Sequence, residues 1–255
     1  KRIRILGPQF EQNGIYPLFV TWKSSVVDTL VDQLSDYMQT HFGMEALPAR
    51  GVTEQLTEVW DRSVELGCRQ LLVRGLWTEM KENIARATWE GRGLDAIADQ
   101  VSQLSAQYPD LQIHLIGHSA GAFICGRLLT EFSVRRTRAG SCSLWAPACD
   151  IDFALNHFAP ALAKGTLPPP ALRIHVLSDR RELDDSVGPY RKSLLYLVSR
   201  ALERRHKTPL LGLAQAFDPA STSTKFWEPT TLDALARWQA LFWSGQLPKA
   251  SFATH

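Results

Sequence analysis

The chain is 255 residues long, 45% hydrophobic and 21% charged, with 28 Lys+Arg against 26 Asp+Glu for a formal net charge of +2. That length supports a sizeable core in one domain, 1–255, and the apolar content with eight tryptophans excludes a disordered chain. A balance this close to zero excludes the basic face of a nucleic-acid binder, and no apolar run reaches the roughly 18 residues of a transmembrane helix.

In chain order, Lys1-Arg2-Ile3-Arg4-Ile5-Leu6 alternates like a strand, with Gly7-Pro8 as its turn. Ile15 to Trp22 is rich in β-branched and aromatic residues and reads as a strand; Ser24 or Ser25 then caps a helix carrying Val27, Leu30, Val31 and Leu34 on one face. A helix is expected from Glu54 to Leu66, ended by Gly67, with residues 69–90 mostly helical and Leu94 to Gln107 helical again. The helices over 52–107 exceed what a crossover needs and are expected to form a lid; Arg74, Trp77 and Lys81 are candidates for its lining, with a solvated face the favoured reading.

The second half alternates strands and helices, which points to a mostly parallel sheet flanked by helices. Strands are expected at Leu111–Ile116, Cys142–Trp145 and Leu172–Leu177, and helices at Ala120–Glu131, Ile151–Leu162, Lys192–Arg205 and Leu232–Trp243. Arg204-Arg205-His206-Lys207 suits the negative pole of the Lys192–Arg205 helix and reads as a solvated helix end. Cys68, Cys125, Cys142 and Cys149 show no CxxC or zinc spacing and are expected as buried free thiols. With no glycosylation sequon and no signal-like start, the expectation is a cytoplasmic protein.

Gly117-His118-Ser119-Ala120-Gly121 matches G-x-S-x-G and stands between a strand and a helix, the setting of a nucleophile elbow. A strained turn there would project the Ser119 hydroxyl from the end of the sheet, with the Ala120 N–H offered to a developing oxyanion. A serine nucleophile needs a base oriented by an acid, in the chain order Ser, Asp, His. The loop after Leu177 supplies Asp185 and Asp184 as the best-placed carboxylates and Asp179 as the third. Two histidines follow: His206 in the basic cluster, and His255 after a loop of small residues, the preferred base. Gly91-Arg92-Gly93-Leu94-Asp95-Ala96 fits a dinucleotide fingerprint but follows a helical pattern, so it carries no such function. This chemistry needs no metal or organic cofactor.

On Ile15–Trp22, the Gly117–Gly121 elbow, Leu144–Cys149 and Asp184–Tyr190 running into Lys192-Ser193-Leu194-Leu195, the chain resembles the α/β-hydrolase superfamily, in particular bacterial lipase-like serine hydrolases. The resemblance implies an α/β-hydrolase fold and an esterase or lipase acting on a carboxylic or lipid ester. It makes Lys1–Asn13 the helix ahead of the first strand, places the oxyanion loop before Lys1, and implies a longer polypeptide with further domains as partners. The alternatives are a peptidase or thioesterase on the same scaffold, or a non-catalytic interaction module.

Overall fold

The computed structural model describes residues 2–21, 36, 40, 54–70, 73–243 and 252–254. The first helix, α1 (Arg2–Gln12), is closed by Gly14, which takes a left-handed φ of +70° while its N–H and that of Ile15 return to the carbonyls of Glu11 and Phe10. A helix thus occupies the span where a helix was expected at 1–13, in place of the strand suggested by the alternation of residues 1–6. The strand expected at 15–22 is absent: residues 15–21 carry no regular structure, and Trp22 lies outside the described residues. A β-favouring composition makes a strand only when a neighbour completes its ladder, and none of the described strands pairs here. The helix expected after Ser24 or Ser25 also lies outside the described residues.

Three helices follow, α2 (Glu54–Gln70), α3 (Val73–Arg86) and α4 (Gly93–Gln107). Gly67 does not end α2, which continues through it for another turn, and the residue is buried. The dinucleotide-like Gly91-Arg92-Gly93 is the turn between α3 and α4. Gly91 takes φ +72°, and its N–H donates to the Asp95 carboxylate at 2.8 Å.

The remainder alternates strands and helices as expected, with boundaries shifted by a few residues, except that a helix at Asp179–Asp184 and a strand at Phe252–Thr254 form where loops were expected. It runs β1 (His114–His118), α5 (Gly121–Val134), β2 (Ser141–Trp145), α6 (Ile151–Ala163), β3 (Leu172–Val176), α7 (Asp179–Asp184), α8 (Leu194–Leu197), α9 (Leu232–Trp243) and β4 (Phe252–Thr254). All four strands are parallel and lie in chain order β1-β2-β3-β4. The helix expected over Lys192–Arg205 is shorter: α8 passes into a π-helical turn, Val198–Leu202, and the basic residues lie beyond it.

Strand alternation sorts the sheet into two faces. Gly117, Cys142, Leu144, Leu172, Ile174 and Val176 face the core. The other face carries His114, Ile116, His118, Trp145, Arg173 and His175, with Ile116 62% and Trp145 55% exposed. Helix α5 lies against the core face and is buried nearly all round, by Phe123, Ile124, Cys125, Leu128, Leu129 and Phe132. It meets α6 closely because Gly126 leaves room for the Phe153 ring; a Cβ there would fall 2.5 Å from Phe153 Cε1. Arg135 at the end of α5 binds Asp95 and Asp99 of α4 as well as Glu131, each at 2.5 Å. All four cysteines are free and buried, as expected.

The region expected to form a lid is built into the body instead. Val64, Cys68, Trp77 and Ile84 join the common core. Trp77 and Lys81 both bind Glu203, at 2.8 and 2.7 Å, and Arg74 donates to the Arg204 carbonyl. Lys192 pairs with the buried Asp61 at 2.7 Å, Tyr190 donates to Glu65 at 2.9 Å, and the Trp60 indole N–H donates to the Pro189 carbonyl at 2.7 Å. Buried pairs of this kind hold α2 and α3 in one place. Among the described residues no helix is long and apolar enough to cross a membrane.

Candidate active site

Ser119 is the first residue beyond β1, and its φ is +53°. For a residue with a Cβ the left-handed region costs on the order of 1–2 kcal/mol, so it persists only where the surroundings impose it. Three backbone bonds do so. The Ser119 N–H donates to the Trp145 carbonyl at 2.9 Å, and the Ser119 carbonyl accepts from Ala122 and Ala148, both at 3.1 Å. The turn is thus tied to the end of β2 as well as to its own helix. Gly117 makes the tight return feasible: a Cβ on it would lie 2.9 Å from Cys125 Sγ and 3.0 Å from the backbone of Gly121. The result is a half-exposed serine at the carboxyl end of a parallel strand, where α/β sheets present their reactive groups.

Helix α5 starts immediately after the serine, with Ala120 at its N-cap. The Ala120 N–H donates to no backbone carbonyl among the described residues, so a free donor stands beside the hydroxyl at a helix N-terminus. That arrangement suits an oxyanion. A thiol nucleophile finds no support nearby. Burial pushes Cys68 up to about 12, Cys149 is raised by burial, and Cys142 is raised by its hydrogen bond with Cys125 and by burial, so all three stay protonated.

The three carboxylates after β3 sit differently. Asp179 opens α7, three residues past the strand. Its Oδ1 accepts from the Tyr196 hydroxyl at 2.5 Å and its Oδ2 from Gln215 Nε2 at 3.0 Å. Burial and the Asp179 contact raise the Tyr196 phenol, which stays a donor. Asp184 is 72% exposed, 3.6 Å from Arg180, and Asp185 is exposed, accepting from the Ser186 N–H at 2.8 Å. One carboxyl of α7 is buried: Glu182, raised chiefly by burial.

His255 lies outside the described residues. The strand before it, β4, pairs with β3 at Val176↔Thr254, so the chain reaches the same sheet end from which Asp179 departs. His206 is not a solvated residue of a helix end. It is half-buried, with Nδ1 2.9 Å from the Arg200 carbonyl, in a cleft that Ser119 does not line. His114 bonds Ser141, His157 bonds Thr130, and His175 packs edge-on against Trp145. Among the described residues no group of three or more His, Cys, Asp or Glu is arranged to hold a metal.

Comparison with known protein families, with characterised proteins and with solved structures gives no match to this chain.

Proposed function

We propose that the chain is a serine hydrolase of the α/β-hydrolase type that cleaves a carboxylic or lipid ester through an acyl-enzyme. Ser119 attacks the carbonyl, His255 takes its proton, and a carboxylate from the Asp179–Asp185 segment orients the imidazole. The Ala120 N–H at the start of α5 stabilises the oxyanion, and water then releases the acid. The observation that carries the reading is the left-handed backbone of Ser119, locked between Gly117 and Gly121 at the end of a parallel strand. Strain of that kind, held by its surroundings, marks functional turns.

The order of the segments supports the rest. Serine and carboxylates follow β1 and β3 of one parallel sheet and leave its same end, and β4, which pairs with β3, ends one residue before His255 in the chain. Among the carboxylates, Asp179 is the one held at the strand end by two donors, while Asp184 and Asp185 of the same segment stand exposed.

A fluorophosphonate probe tests the assignment. The wild-type chain is expected to be labelled and Ser119→Ala is not; labelling that survives Ser119→Ala overturns the site, and a folded wild-type chain that stays unlabelled favours the non-catalytic module. Of Asp179→Asn, Asp184→Asn and Asp185→Asn, one is expected to lower ester turnover on the order of 10⁴-fold while the other two stay within a few fold. Three equally small effects would remove the acid from this segment.

A further inference from the structure

A second cluster of chemistry lies away from Ser119, at the seam between α2 and the π-helical turn. A cleft of about 190 Å³ is lined by Arg62, Glu65, Leu66, Arg69 and His206. Two buried nitrogens of its lining, Arg69 Nη2 and His206 Nε2, have no hydrogen-bond partner among the described residues. A buried donor or acceptor left unpaired is costly, so one of each on a single cleft calls for an occupant.

The local bonds fix what each nitrogen offers. Arg69 Nε donates to the Arg200 carbonyl at 3.0 Å, which fixes the guanidinium at the seam and leaves Nη2 as a donor. His206 Nδ1 lies 2.9 Å from the same carbonyl, and a carbonyl can only accept, so Nδ1 carries the proton. In the neutral ring Nε2 is therefore a bare acceptor; once protonated it becomes a donor. Lys207, in the left-handed region at φ +60°, supplies the sharp backbone turn beside His206.

The charges around the cleft leave a positive excess. From α2, Glu65 is engaged by Tyr190 and Arg200, and Glu58 by Lys192 and Arg200. Among the described residues no carboxylate lies within ion-pair distance of Arg62 or Arg69. Arg74 adds positive charge from α3, and Arg200 and Lys207 from the π-helical side. Burial chiefly lowers the Arg69 and His206 pKa values; Arg74 lowers the first and Arg69 and Arg62 lower the second, while Glu65 opposes the shift at both and the bond to the Arg200 carbonyl opposes it at His206.

We infer that this cleft binds a phosphate monoester group, whose oxygens accept from Arg62 and Arg69 and whose single exchangeable proton is shared with His206 Nε2. The second ionisation of such a group falls near pH 6, so one proton sits on the ligand or on the imidazole and satisfies both. Sulfate has the same shape without that proton, and it faces the bare Nε2 lone pair at neutral pH. The site does not depend on Ser119.

Titration calorimetry of the full chain with inorganic phosphate, at ionic strength matched with chloride, tests it. Saturable phosphate binding is expected, tighter than sulfate at pH 7.5, with the preference narrowing as the pH is lowered and His206 takes up a proton. Arg62→Gln, an exposed substitution that leaves α2 intact, and Arg69→Gln are each expected to weaken phosphate binding about tenfold or more, and His206→Ala to abolish the pH dependence of the preference. Co-sedimentation with phosphatidylcholine vesicles containing phosphatidate separates the sources: pelleting that Arg62→Gln abolishes names a lipid headgroup, and its absence alongside phosphate binding names a soluble phosphomonoester. No saturable phosphate binding in the wild-type chain, or an Arg62→Gln chain that binds as wild type, overturns the inference.

Discussion

Ser119 combines a hydroxyl with a backbone conformation that glycine adopts freely, and the two can be separated by substitution. Ser119→Ala and Ser119→Gly both delete the hydroxyl, but only glycine relieves the positive φ. Ser119→Gly is therefore expected to unfold at a higher denaturant midpoint than Ser119→Ala, by about 1 kcal/mol after its greater unfolded-state entropy is subtracted. Equal midpoints would mean that the turn is unstrained. The G-x-S-x-G pentad and its strand–helix setting were legible in the sequence because the contacts that define them are local. The partners of Trp77, Lys81 and His206 were not: Glu203 and the Arg200 carbonyl come from the π-helical turn and the residues after it, and nothing in the periodicity of α2 or α3 reveals what lies across a seam.

Helix α6 carries two half-buried titrating groups whose effects oppose each other. Its N-cap, Asp150, accepts from the Phe153 N–H at 2.7 Å, and burial, with Glu203 nearby, raises its pKa to about 6. A carboxyl raised in the folded state binds its proton more tightly there, so its contribution falls as pH rises from about 4 to about 6. His157, hydrogen-bonded to Thr130, is lowered to about 4 by burial and by Arg127, so its contribution rises with pH from about 4 to about 6.5. The wild-type chain is expected to show a shallow stability profile across this window. Asp150→Asn keeps the cap and should expose the rising limb, whereas His157→Gln should expose the falling one. Denaturant midpoints at pH 4, 5, 6 and 7 read this directly, and parallel profiles for the two variants would refute it. The elements legible in the sequence, β1 to β3 and the helices α2 to α6 and α9, are those that their own residue pattern and flanking turns mark. The residues 15–21 failed as a strand because β-composition states what a strand would need and not whether a neighbour supplies it.

Across the whole molecule, α2 and α3 are joined to the segment 189–204 by buried polar pairs, the most enclosed being Lys192–Asp61, with side chains 9% and 1% exposed. Lys192→Met would leave the Asp61 carboxylate buried without its partner and is expected to cost about 3–5 kcal/mol, with Asp61→Leu/Lys192→Met recovering most of it. A double variant as unstable as the single one would place the loss in packing instead. The sequence marked this region as a helical excursion and expected a lid; the pairs that make it part of the body join residues far apart in the chain and leave no periodic trace. The ties of the serine turn have a consequence for synthesis. Ser119 is held by the carbonyl of Trp145 and the N–H of Ala148, and the next residue after Trp145, Ala146, is itself left-handed and bonded to the His175 carbonyl on β3. A growing chain that has emerged only through α5 therefore carries the pentad without the partners that bend it. The turn takes shape only after β2 and β3 have joined the sheet, so nascent chains halted before residue 141 are expected to remain inert toward a serine-directed probe.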